Sequence, residues 1–206
     1  MGTDKLVAMP RGIAIPEIRQ QLFAAAERVI VRDGPGRLNG RAVTGEAGVA
    51  TGLLYAHFTD FDGFLVAYAV DRAFTISAEA ATLPPRAGGG EVTKNLCATL
   101  LAVPLDAVMA STRLLVARPE LSVRVREVLG DPVGLDAVEK SIAAYLSAEQ
   151  RLGRLACAAA PELLGQALIG VVHHIALTAP TEAAAHVLIE RVVAAVVDVN
   201  IVATRS

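Results

Sequence analysis

Tryptophan is absent from this 206-residue chain and aromatic residues make up only 4% of it, so its core must be built from aliphatic side chains. Any internal cavity would then be lined mainly by Leu, Val, Ala and Met. Cysteine is scarce as well. Cys97 and Cys157 form no Cys-x-x-Cys pair, which argues against a disulfide framework and fits buried thiols of a reducing cytosol. Charge of neither sign dominates: 19 basic residues face 21 acidic ones, and the first 70 residues balance at seven of each. Composition alone therefore does not announce a nucleic-acid partner. Long apolar runs are lacking too. The most hydrophobic stretches, 163–179 and 187–203, are interrupted by Gln166, His173 and His174 in one and by Glu190, Arg191, Asp198 and Asn200 in the other, so neither reads as a membrane span. Residues 1–16 lack the continuous apolar core of a secretory signal. A cytoplasmic location without a membrane partner is expected.

Catalytic signatures are equally thin. There is no Gly-x-Ser-x-Gly elbow, and the glycine-spaced stretch 45–52 is not followed by the Lys-Ser/Thr of a phosphate loop. His173 and His174 are adjacent, so on a helix their rings point roughly 100° apart and cannot chelate one ion as an i, i+4 pair would. No metal or cofactor is expected, and the chain does not read as an enzyme. A catalytic constellation assembled only in three dimensions is the alternative that one sequence would not reveal.

What the chain has in abundance is helix-forming aliphatic sequence, 53% hydrophobic and punctuated by proline and glycine. Ile18, Leu22, Ala26, Val29 and Ile30 recur at helical spacing over about 16–32, ahead of the turn Asp33-Gly34-Pro35-Gly36. Further helices are predicted at 40–47, through the motif below, and at 62–81, 91–103, 105–117, 119–129, 133–152, 161–178 and 182–202. The fold class is all-α. Pro84-Pro85 and Gly88-Gly89-Gly90 break the chain after the fourth helix.

The most informative segment lies at 41–65. Gly48 permits the positive φ that ends one helix without a Cβ clash, and Val49 tucks an apolar side chain between that helix and the next. Asn39 is a plausible cap for the upstream helix, with Ala42, Val43 and Ala47 facing inward. Downstream, Leu54 and Phe58 are four apart and bury together, leaving Thr51, Gly52, Tyr55 and, at the margin, His57 on the opposite face. A compact polar face of this kind can occupy a major groove. Two short amphipathic helices about a glycine are also common in helical proteins that bind no DNA.

Residues 18 to about 72 resemble the N-terminal domain of the TetR family of bacterial transcriptional regulators. The resemblance is carried by Glu46-Ala47-Gly48-Val49, Thr51-Gly52, Leu54-Tyr55, Phe58, Asp60-Phe61-Asp62 and Leu65. It implies a three-helix helix-turn-helix DNA-binding domain at 1–60 and a helical ligand-binding and dimerisation domain at 61–206, with the helix at 61–82 connecting them. It assigns Arg41 a groove or phosphate contact, Thr51 and Leu53 base edges, and Tyr55 and His57 backbone contacts, while Gly52 allows close approach and Thr59 joins the set. Three positions depart from the family pattern. Phe61 stands where a phosphate-binding Lys is usual, Thr51 where a basic residue is frequent, and Thr44 where an Ala is common. Arg37, Lys5 and Arg11 are basic groups that could reach phosphate or a minor groove instead.

The same resemblance implies a dimeric, ligand-responsive regulator, most simply a repressor, bound to a double-stranded palindromic operator and released by a small hydrophobic effector. Phe74, Leu96, Leu100, Met109, Leu114 and Tyr145 are the candidate cavity residues. Leu164, Leu168, Val171 and Ile175, then Leu188, Val192, Ala195 and Val199, follow spacings of three and four on the last two helices, the pattern of a helix-packing seam. Intramolecular core explains that pattern too. A homodimer interface is favoured because both helices are apolar on a second face and the resembled family dimerises this way. The alternative function is a small-molecule-binding sensor or carrier without DNA binding, for which Phe61 and the neutral N-terminal charge speak.

Overall fold

The apolar periodicity is realised as ten α-helices in a computed structural model that describes residues 15–130 and 133–201. They are α1 (Ile15–Asp33), α2 (Gly40–Ala47), α3 (Thr51–His57), α4 (Phe61–Ser77), α5 (Val92–Leu101), α6 (Leu105–Ala117), α7 (Pro119–Leu129), α8 (Leu135–Arg151), α9 (Pro161–Thr178) and α10 (Glu182–Val197). Among the described residues the only β pairing is an isolated bridge between Leu155 and Ile201. Lys5 and Arg11 lie outside the described residues, as does the side chain of Val199.

Two helices end earlier than their apolar periodicity predicts. The helix expected to reach 81 stops at Ser77, and the chain continues in 3-10 turns at Ala80–Thr82 and Pro84–Arg86. Thr75 and Ser77 donate their hydroxyls back to the carbonyls of Asp71 and Ala73, which competes with the regular helix at its end. The last helix stops at Val197 rather than 202 because Asn200 turns back, its side-chain amide donating to the Val196 carbonyl at 2.9 Å. The Asn200 carbonyl then accepts from the Ala156 amide at 2.8 Å.

Burial sorts the helices into two apolar clusters. One gathers Phe23, Ile30, Leu54, Phe64 and Tyr68 from α1, α3 and α4, and it runs on into Ala110 and Leu114 of α6 and Leu121 and Val125 of α7. The helix-turn-helix unit is thus seated directly on α6 and α7. The second cluster joins α5, α8, α9 and α10 through side chains such as Leu96, Leu100, Ile142, Leu168 and Ile189. The proline- and glycine-rich break is pinned to α8 by a polar clamp. Glu149, fully buried, accepts from the Gly88 amide at 3.2 Å and faces Arg154 at 3.3 Å. Asn95 donates to the Gly89 carbonyl at 2.8 Å and to the Tyr145 hydroxyl at 3.0 Å. No single helix among the described residues is long and apolar enough to cross a membrane.

Candidate nucleic-acid interface and effector cavity

The helix-turn-helix is fixed by the local chemistry read from its residues. Asn39 accepts from the Ala42 amide at 3.0 Å and caps α2. Gly48 ends it at φ 69°, in the left-handed region where a Cβ is disfavoured, and the Val49 amide closes the turn on the Thr44 carbonyl at 2.9 Å. From α1, Gln21 donates to the Ala47 carbonyl at 2.8 Å, while Arg28 and Arg32 both grip Glu46. These hydrogen bonds, led by that from Arg28, hold the Glu46 carboxyl below the usual glutamate range.

The α3 helix rests on Leu54 and Phe58, both buried, and Phe58 meets Phe64 edge-on at 5.1 Å. Thr51, Gly52, Tyr55 and Ala56 are exposed along the opposite side, Tyr55 at 50%. Arg41 and Thr59 are exposed as well, and His57 is half-buried. Leu53, assigned to a base edge by the resemblance, is half-buried and packs on the N-terminal cluster, so only part of it is presented. Ala56 belongs to the exposed face but had no signal in the sequence beyond its helical position four residues after Gly52.

The basic groups divide sharply. Arg28 and Arg32 are spent on Glu46 and Asp33, and Arg19 stacks on the Phe58 ring at 4.5 Å and donates to the His57 carbonyl at 3.5 Å. Among the described residues Arg37 and Arg41 carry no ion pair. Phe61 is half-buried and stacks on Phe64 at 5.7 Å with an interplanar angle of 23°, extending the aromatic core where the family pattern has a phosphate donor. Its neighbour Asp60 accepts from the Gly63 amide at 2.6 Å and caps α4.

The structure does not bring the six expected cavity residues together around one hollow. A hollow of about 480 Å³ opens between α4, α6, α7 and α8, and its walls include Ala69, Ala73, Val108, Leu115 and Leu129. None of the six expected residues lines it. Leu96, Leu100, Leu114 and Tyr145 are buried in the two clusters, Phe74 is 56% exposed on an outer groove, and Met109 faces a different hollow beside α1 and α10. The physical reason is size: large side chains fill space, and a cavity survives where the walls are short, as at Ala69 and Ala73. Tyr145, expected to present its hydroxyl to a ligand, spends it on Asn95 in the clamp, and burial, with Glu149 beside it, leaves the phenol pushed up to about 12.

Polar groups in the hollow are few. The Ser111 hydroxyl is buried beside the Tyr68 phenol, Thr112 bonds His173 Nε2 at 2.9 Å, and Arg126 has no carboxylate partner among the described residues. A volume within the roughly 300–1,000 Å³ of small-molecule sites, apolar walls and a few polar anchors are the features of a binding cavity. His174, next to His173, is exposed on another face, so the two rings do point apart. The two thiols are not buried as expected: Cys97 is half-buried and Cys157 is exposed.

The expected dimer seam also divides. Leu168 and Ile175 are only 1% and 3% exposed and belong to the chain's own core, with Leu164, Val171 and Val192 packed half-buried against it. Those contacts are intramolecular, because the period of three and four marks the face turned to α8 and α10. The free face of α9 lies one residue earlier, through Leu163, Gln166, Ala167, Gly170, His174 and Leu177, and on α10 it includes Val187, Leu188 and Ala195.

No family model and no curated protein matches this sequence. Solved structures do match the fold. The TetR-family transcriptional regulator PfmR from Thermus thermophilus aligns at a TM-score of 0.67 with 12% identity, over 86% of this chain and 97% of that one. A protein from Mesorhizobium loti described as a TetR-family transcriptional regulator aligns at 0.66 with 17% identity, over 93% and 100% of the two chains. The regulator FadR from Bacillus subtilis, solved in complex with stearoyl-CoA, aligns at 0.61 with 16% identity, over 86% and 97%. The chain has the all-helical fold of the TetR-family transcriptional regulators, from the helix-turn-helix to the last helix.

Proposed function

We propose that the chain is a ligand-responsive, DNA-binding transcriptional regulator that works as a homodimer and represses by occupying a palindromic operator. The observation that carries this reading is α3. A short helix is held rigidly on an aromatic core by Leu54 and Phe58, while Thr51, Gly52, Tyr55 and Ala56 face outward beside the unpaired Arg41. Two such helices would enter successive major grooves about one turn apart. The effector would be a small, largely apolar molecule in the hollow between α4, α6, α7 and α8, anchored at Ser111, Thr112 or Arg126. Two of those walls, α6 and α7, also seat the DNA-binding unit, so filling the hollow would strain the platform beneath α3. Moving the population from 99:1 to 1:99 would require about 5.5 kcal/mol of differential effector binding.

The testing experiment is titration of the full chain against duplexes selected from a random pool, repeated at several salt concentrations. Binding should fall steeply with salt, and Arg41→Ala should weaken it, by roughly 1–3 kcal/mol if the guanidinium reads a base. Selection of no duplex would favour the second reading, a helical sensor or carrier without DNA binding. The observation on its side is Phe61, whose ring is committed to Phe64 where a phosphate donor would stand.

A further inference from the structure

Thr44 lies in α2, is 1% exposed and has no route to solvent or to a groove of its own. Its hydroxyl is nonetheless engaged on two sides. It is 2.8 Å from the Gly40 carbonyl, with the Arg41 carbonyl at 3.4 Å, and 3.2 Å from the hydroxyl of Thr51 at the start of α3. A carbonyl oxygen only accepts, so Thr44 spends its single proton on the backbone of its own helix. The contact between the two hydroxyls admits either donor by itself; with the Thr44 proton on the Gly40 carbonyl, Thr44 accepts there and Thr51 donates.

We infer that Thr44 is a positioning residue that fixes the hydrogen-bonding sense of Thr51, so that Thr51 reads the exocyclic amino group of adenine or cytosine. The inference rests on the DNA-binding reading of α3. Thr51 is exposed, and with its proton directed inward to Thr44 the remaining lone pairs of its Oγ1 are free only to accept. In the major groove the acceptor-seeking groups are adenine N6 and cytosine N4; guanine O6 and N7, thymine O4 and the phosphate oxygens all need a donor. An Ala at position 44 would leave the Thr51 hydroxyl free to rotate and serve either kind of partner. The buried Thr44 thus converts an ambidextrous side chain into a one-sense reader without touching DNA.

The test compares full-length wild type, Thr51→Val, Thr44→Val and Thr44→Ser by selection from a random duplex pool, followed by anisotropy titrations. Four duplexes are titrated, differing only at the base pair whose preference Thr51→Val erases. The four pairs should fall into two groups, A·T with C·G against T·A with G·C, separated by roughly fivefold, the worth of one net hydrogen bond. Thr44→Val should collapse that separation and Thr44→Ser should keep it, with circular dichroism reporting that each variant is folded. If Thr44→Val does not fold, the wild-type grouping and its loss in Thr51→Val at the protein surface decide the matter. A purine against pyrimidine grouping, a preference for the keto bases, or a folded Thr44→Val that discriminates like wild type would overturn this inference alone. A Thr51→Val variant that alters no position would do the same. Failure of wild type to select any duplex would overturn DNA binding and this inference with it.

Discussion

Arg118 donates to Asp62 at 2.9 Å, joining the corner between α6 and α7 to the first turn of α4. A second strut runs from α6 to the other side of the DNA-binding unit, where Arg113 donates to the Val31 carbonyl at 3.1 Å. The first strut starts at the corner of two helices that wall the hollow and the second on one of them, so they are polar links from its walls to α4 and α1. The side chains of Arg118 and Asp62 are 37% and 46% exposed, and such pairs contribute only about 0.2–1 kcal/mol. Arg118→Ala should therefore lower the thermal midpoint by no more than about 2–4 °C. Amide exchange in the first turn of α4 should nevertheless accelerate, measured by hydrogen–deuterium exchange. Unchanged exchange there would remove Arg118 as a coupling element.

Gly40 opens α2 with its α-carbon against Tyr55. A Cβ at that position would stand 3.0 Å from the Tyr55 hydroxyl and 3.6 Å from the adjoining ring carbon, so Gly40→Ala must push the ring aside. Alanine is a better helix former than glycine by about 0.8–1.0 kcal/mol, and Tyr55 is half exposed and free to move. Stability should hold or rise slightly in urea unfolding, while affinity for a selected duplex falls several-fold. Equal affinity would mean that the Tyr55 hydroxyl makes no contact with DNA.

The contrast between these residues and the cavity shows how far the sequence could be read. Helix limits were legible where Asn39, Gly48 and Pro161 act on the backbone next to them, and the outward face of α3 followed from the four-residue spacing of Leu54 and Phe58. The hollow was not legible because it is defined by missing volume: Ala69 and Ala73 carry no chemical signal, and Leu114 and Leu115 differ in role only through a rotation of one position on α6. The same rotation separates buried Leu168 from exposed Ala167 on α9. Thr44 was visible as a departure from the family pattern, but its link to Thr51 depends on how two helices meet across the turn.

Glu46 supplies a pH dependence whose sign follows from its surroundings. Hydrogen bonds from Arg28 and Arg32 depress its folded-state pKa, with Asp33 nearby also depressed by Arg32. A depressed carboxylate stabilises the folded state above its unfolded pKa, near 4.5, and loses that contribution as pH falls through the lower folded value. Wild type should therefore lose more stability than Glu46→Gln on going from pH 6 down through about pH 4 to 3. Urea midpoints across that range check it, and parallel curves for the two proteins would count against the Arg28–Glu46–Arg32 clamp.

Ala167 and Leu168 are neighbours in sequence with opposite fates on α9, which permits a paired test of the proposed dimer. Leu168 is 1% exposed among the chain's own helices, so Leu168→Ala should cost about 2–5 kcal/mol of stability through the cavity it leaves. Ala167 is exposed on α9 with Leu163, Gly170 and Leu177, where none of the described residues covers it. A carboxylate there would be solvated in a monomer but buried without a partner in a symmetric pair, at a cost of several kcal/mol for each charge. Ala167→Glu should therefore keep its helix content by circular dichroism and sediment as a monomer at concentrations where wild type is a dimer. A wild-type monomer, or a dimer indifferent to Ala167→Glu, would place the interface elsewhere.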